Sequence, residues 1–74
     1  MSPDELQKLI EEAIPDATVD VTDLTGTADH FGVSVVSPAF AGLTLVQQHQ
    51  LVYRAVGDHM NRAVHALRIH TKTP

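Results

Sequence analysis

Seventy-four residues with a formal charge of −4 and no cysteine are read as one small domain, 1–74, with a modest core; disulfides and any thiolate supplied by the chain itself are excluded. Hydrophobic residues reach 43% but aromatics only 4%, so the core has to be built from Leu, Ile, Val and Ala. No apolar run approaches the ~18 residues of a membrane helix. The acidic start Met1-Ser2-Pro3-Asp4-Glu5 is unlike a signal or transit peptide, so a soluble, cytoplasmic chain is expected.

In chain order, Ser2-Pro3-Asp4-Glu5 reads as a helix start, with Ser2 as cap, Pro3 in the first helical position and Glu5 as capping-box partner. Leu6, Leu9, Ile10, Ala13 and Ile14 recur at helical spacing opposite Lys8, Glu11 and Glu12, until Pro15 stops the helix. Ala17, Val19 and Val21 alternate with Thr18, Asp20 and Thr22, which predicts a first strand over about 17–23. Thr25 to Asp29 is a loop of turn-forming residues compatible with a hairpin. A second strand follows over His30 to Ser37, with Phe31, Val33 and Val35 on its core face.

Ser37 to Gly42 breaks the alternation, and Thr44-Leu45-Val46-Gln47 repeats the capping-box pattern. A second helix is expected there, its inward stripe formed by Leu45, His49, Val52 and Val56, with Gly57 ending or bending it. Asp58 to Ala63 can form a short third helix, with Met60 and Ala63 as the residues that could turn inward. From His65 onward the period becomes two again: His65, Leu67, Ile69 and Thr71 share one face, Ala66, Arg68, His70 and Lys72 the other, and Pro74 ends the strand.

The order is α-β-β-α-α-β, an α+β fold with a three-stranded mixed sheet covered by helices. A strand, helical crossover and strand in one sheet prefers a parallel, right-handed connection. The third strand should then run parallel to the second, which pairs antiparallel with the first. His30 and His65 consequently fall at the same end of the sheet. Their alternation differs, since His30 points away from Phe31 whereas His65 shares parity with Leu67, so freedom at the strand mouths would have to bring the rings together.

Charge is polarised along the chain. Residues 1–29 hold eight of the nine acids and one cation, Lys8; residues 54–72 hold Arg54, Arg62, Arg68 and Lys72 against Asp58 alone. Such a chain can present a basic face, but it lacks the strongly positive balance of most nucleic-acid binders. There is no Gly-x-x-Gly clamp, no phosphate-cradling loop, and no nucleophile or paired-carboxylate set at recognisable spacing. An enzyme is not expected.

The set Phe31-Gly32-Val33-Ser34-Val35-Val36-Ser37, Phe40-Ala41-Gly42, Gln48-His49-Gln50-Leu51-Val52, His65-Ala66-Leu67 and Thr71-Lys72-Thr73-Pro74, in that order and spacing, resembles the BolA family. The resemblance covers almost the whole chain. It implies an α+β fold similar to the class II KH domain. It also implies pairing with a monothiol glutaredoxin around a bridging [2Fe-2S] cluster, in iron–sulfur cluster maturation or iron regulation. Some members are described instead as DNA-binding transcriptional regulators of morphology and stress responses.

Through the resemblance, the histidine of the His-Ala-Leu motif maps a cluster ligand onto His65. The second family ligand, His or Cys, comes from the loop between the first two strands, where His30 is the candidate here. In cysteine-bearing members it lies near the place of Thr27, a poor iron ligand. The family's middle motif often reads Arg-His-Arg; Gln48-His49-Gln50 lacks both flanking cations and weakens the DNA reading.

Imidazole nitrogen suits iron, and a chain without thiolate needs a partner's sulfur. The resemblance supplies it as a glutaredoxin cysteine and glutathione, with no cluster bound by this chain alone. The chain is then a monomer by itself or a heterodimer with the glutaredoxin, off the membrane. Read from pattern alone, His65 is more often a structural histidine than a ligand, and His30 is equally a solvated turn residue. His49, on the apolar stripe, reads as a buried, hydrogen-bonded structural residue or as support for a ligand. His59 and His70 read as surface residues, and Met60 as core filler. For the DNA reading, Arg54, Arg62, Arg68 and Lys72 are the phosphate-contact candidates.

Overall fold

The computed structural model describes residues 1–60 and 62–74. Helix α1 (Pro3–Ala13) is followed by strands β1 (Thr18–Asp23) and β2 (His30–Val36), then by helix α2 (Leu45–Val56) and strand β3 (Ala66–Lys72). Single 3-10 turns at Pro38–Phe40 and Gly57–His59 flank α2. The α+β reading holds.

Each helix begins where its cap dictates. The Ser2 hydroxyl accepts the Glu5 amide at 3.1 Å. Glu5 answers by accepting from that same hydroxyl, rather than from the Ser2 backbone as a full capping box would have it. At α2 the box is complete: Thr44 Oγ1 accepts the Gln47 amide and Gln47 Oε1 accepts the Thr44 amide. Gly57, at φ +58°, closes α2 with its amide on the Tyr53 carbonyl, a backbone position that disfavours any side chain.

The sheet order is β1-β2-β3. β1 and β2 are antiparallel, with Val19 opposite Val35. β2 and β3 are parallel, with His30 opposite Ala66 and Phe31 opposite Leu67. One face carries Val19, Phe31, Val33 and Val35 into the core, where Leu6, Ile10 and Ile14 from the α1 region and Val52 and Val56 from α2 meet them. Fully burying such side chains contributes about 1.5–3 kcal/mol each. The other face, including Thr18, Asp20, Thr22, Ser34, Arg68 and His70, is exposed. Two layers result, with one side of the sheet uncovered.

Three expectations need correction. The third helix is a single 3-10 turn at Gly57–His59; Met60 pairs with Val64 in an isolated bridge, Arg62 and Ala63 lie in a turn, and position 61 lies outside the described residues. The positive φ at Gly57 breaks the helical path, and the residues after it have too little apolar periodicity to restart it. Leu45 is 62% exposed although its helical phase matches Val52. Phase sets the direction of a side chain; it does not place another element over the first turn. His49 is half-buried rather than buried.

Candidate metal centre

The site forms where the β1–β2 loop meets the start of β3. Asp23, the last residue of β1, shapes that loop. Its Oδ1 accepts the Thr25 and Gly26 amides at 3.3 and 2.9 Å, and its Oδ2 accepts the Ala28 amide at 3.0 Å. Gly26 at φ +76° and Ala28 at φ +58° supply the left-handed turns this wrapping requires. The loop is thereby folded around one carboxylate, and it delivers Asp29 and His30 to the mouth of β2.

Asp29 then organises everything beside it. Its carbonyl accepts the His65 amide at 2.7 Å and the Ala66 amide at 3.3 Å, fixing the entry of β3. Its carboxylate faces both rings: Oδ1 lies 2.8 Å from His30 Nδ1 and Oδ2 lies 3.4 Å from His65 Nδ1. The first is an ordinary hydrogen bond; the second is an electrostatic contact beyond ordinary hydrogen-bond length. Thr27 donates its hydroxyl to Asp29 Oδ1 as well. That hydroxyl above all, then the His30 hydrogen bond, lowers the Asp29 carboxyl from 3.8 to about 2, against an opposing desolvation and with a lesser electrostatic pull from the two imidazoles.

The two rings stand 6.0 Å apart between centroids, edge to face at 81°. Their side chains are 42% (His30) and 56% (His65) exposed. The parity difference does not keep them apart, because β3 begins at Ala66 and His65, one residue outside the strand, is free of its alternation. With Nδ1 turned to a carboxylate, Nε2 is the nitrogen of each ring left for a metal. Two imidazoles suit iron but fill at most half of a four-coordinate shell, so other donors must complete it. Beside them, Leu24, Thr25, His30, Ala66, Leu67 and Arg68 line an open cleft of about 390 Å³.

The remaining candidates are elsewhere. Thr27 is in the loop, but its hydroxyl is committed to Asp29 and Thr25. Arg68 and Lys72 project from the uncovered side of β3, Arg62 is exposed in the turn before it, and Arg54 is exposed on α2 in the opposite layer. Arg54 is thus in a different layer from Arg68 and Lys72. Gln48 turns out to be a tether: it accepts from the Thr71 hydroxyl at 2.6 Å and donates to the Leu43 carbonyl at 3.0 Å, tying α2 to β3. Among the described residues His49 makes no side-chain hydrogen bond. Sequence reasoning missed Asp29. An acid immediately before a candidate histidine ligand was the available signal.

A two-layer α+β domain with paired surface imidazoles at the mouth of two parallel strands is the class defined by this geometry. The family model described as BolA-like protein matches residues 7–74, and the chain belongs to the BolA-like family. It is 34% identical over 71 residues to an uncharacterized protein of Rickettsia prowazekii, covering 96% of this chain and 92% of that one. It is 48% identical over 48 residues to the Vibrio cholerae protein named DNA-binding transcriptional regulator BolA, covering 65% of this chain but only 45% of that protein. Among solved structures, the BolA domain of SufE1 from Arabidopsis thaliana superposes with a TM-score of 0.86 at 29% identity, over 97% of this chain and 91% of that one.

Proposed function

We propose that this chain is a non-enzymatic partner of a monothiol glutaredoxin, sharing a bridging [2Fe-2S] cluster in iron–sulfur cluster maturation, trafficking or iron regulation. His65 and His30 are its ligands; the glutaredoxin cysteine and glutathione supply the sulfur this chain lacks. The observation that carries the reading is the imidazole pair, 6.0 Å between centroids and gathered around one carboxylate. The cluster itself supplies electron-transfer and transfer chemistry. What the chain contributes is two neutral nitrogen donors, and histidine ligation raises the potential of such a centre.

Ligation requires deprotonated imidazole, so acid works against assembly. The test is co-expression with a monothiol glutaredoxin, followed by visible absorption and circular dichroism of the purified pair. A cluster spectrum that changes or disappears in His65→Ala supports the reading. An unchanged spectrum in that variant removes His65 from the ligand set.

A second reading, a DNA-binding transcriptional regulator, is favoured by the name of the Vibrio relative and by Arg68, His70 and Lys72 lying exposed along one side of β3. It requires salt-dependent DNA binding that weakens when Arg68 or Lys72 is replaced. The separation of Arg54 from these cations, in the opposite layer, argues for few phosphate contacts. Undetectable affinity at low salt would discard it.

A further inference from the structure

We infer that Asp29 is a positioning residue, whose carboxylate holds the neutral His30 and His65 rings as Nδ1–H tautomers and so presents both Nε2 atoms outward. The part of this that concerns metal rests on the reading of the two histidines as cluster ligands; the tautomer does not.

The acceptor decides where the proton sits. A carboxylate can only accept, so a neutral imidazole that meets it through Nδ1 must carry its proton there. For His30 the contact is 2.8 Å, an ordinary charge-assisted hydrogen bond. For His65 the carboxylate is 3.4 Å away, near enough to favour the same proton position. Its backbone is pinned to the same residue through the 2.7 Å bond to the Asp29 carbonyl. One residue thus addresses one ring through its side chain and the other through both side chain and main chain.

Asp29 is itself held in place. Thr27 donates to its Oδ1, and Thr27 sits in the loop wrapped around Asp23. The aim of the rings therefore depends on loop chemistry in addition to the alternation of β2, which His30 opens. Outer carboxylates of this kind, donated to by a ligating histidine, change metal affinity by about 10- to 100-fold when removed.

The direct test is nitrogen-15 imidazole spectroscopy of the metal-free chain at a pH above the ring titrations seen in the same spectra. Both His30 and His65 are expected as Nδ1–H. A Nε2–H form at either ring overturns the inference, without needing any variant. Asp29→Asn keeps the shape, but with its carbonyl oxygen held in the Oδ1 place by the Thr27 hydroxyl, its amide nitrogen faces His65 Nδ1, so the proton should move to Nε2 in at least His65. Zinc(II) titrated into the same samples should bind about 10- to 100-fold more weakly to Asp29→Asn than to the unaltered chain. Unchanged tautomers and zinc affinity in that variant refute the positioning role even where His65→Ala abolishes the shared cluster. Conversely, Nδ1–H rings beside a cluster indifferent to His65 would leave the role of Asp29 standing and dismiss the ligands.

Discussion

At the end of the sheet where β2 finishes, Ser37 is fully buried. Its hydroxyl donates to the Pro15 carbonyl at 2.6 Å and accepts the Ala39 amide, while its own amide donates to the Lys72 carbonyl. At the end where β2 begins, His30 and His65 stand 42% and 56% exposed around Asp29. Both ends are polar and both are hydrogen-bonded. The difference lies in what is left over: around Ser37 the donors and acceptors close on one another, whereas each imidazole keeps a nitrogen that the fold does not use. A sealed polar group stabilises the structure; a polar group with a spare lone pair at the surface is available for chemistry.

Replacing Phe31, fully buried between the two ends, by Ala should damage both, with a loss of about 3–5 kcal/mol. That is comparable to the entire stability of so small a domain. Urea denaturation should show a largely unfolded chain, and a stable Phe31→Ala variant would mean that the core is held some other way. Ser37→Ala should be milder, about 1–3 kcal/mol, and confined to its own end: the His30 and His65 imidazole resonances should not move. Movement there would contradict the separation of the two ends.

His65→Ala reverses the pattern. Its side chain is 56% exposed, so stability should change by no more than about 0.5 kcal/mol while the spectrum of a cluster formed with a glutaredoxin is altered and its yield reduced. A large fall in the unfolding midpoint would make His65 a structural residue. The smallest effect concerns acid. Asp29 has its carboxyl lowered from 3.8 to about 2, so its ionised form is favoured by folding. Its contribution is complete above about pH 4 and is lost as pH falls from there through about 2. The effect is minor because the carboxylate still meets solvent. Urea midpoints of the native chain and Asp29→Ala should converge over that window, and a constant gap would show that Asp29 acts on stability by some route other than charge.

The strands, their pairing and the core were legible because period-two alternation and the two caps are local properties of the chain. Val19, Phe31, Val33 and Val35 lie where the alternation puts them, and the parallel pairing came from the helical crossover. His30 and His65 could be brought to one end of the sheet on topology alone. Their actual proximity could not, because it depends on β3 starting one residue later than the alternation suggests. Asp29 was legible only as an acid beside His30: its role depends on a backbone bond to His65, thirty-six positions away in sequence, and on a loop folded around Asp23. The exposure of Leu45 and the half-burial of His49 show the complementary gap, since helical phase does not say how far the covering layer extends.

The most direct measurement is pulsed electron paramagnetic resonance on the reduced cluster of the proposed complex with a monothiol glutaredoxin, with only this chain labelled with nitrogen-15 histidine. Ligation by this chain predicts nitrogen-15 hyperfine couplings from two directly bound imidazoles, one lost in His65→Ala and the other in His30→Ala. A cluster showing no coupling to the labelled histidines would contradict it.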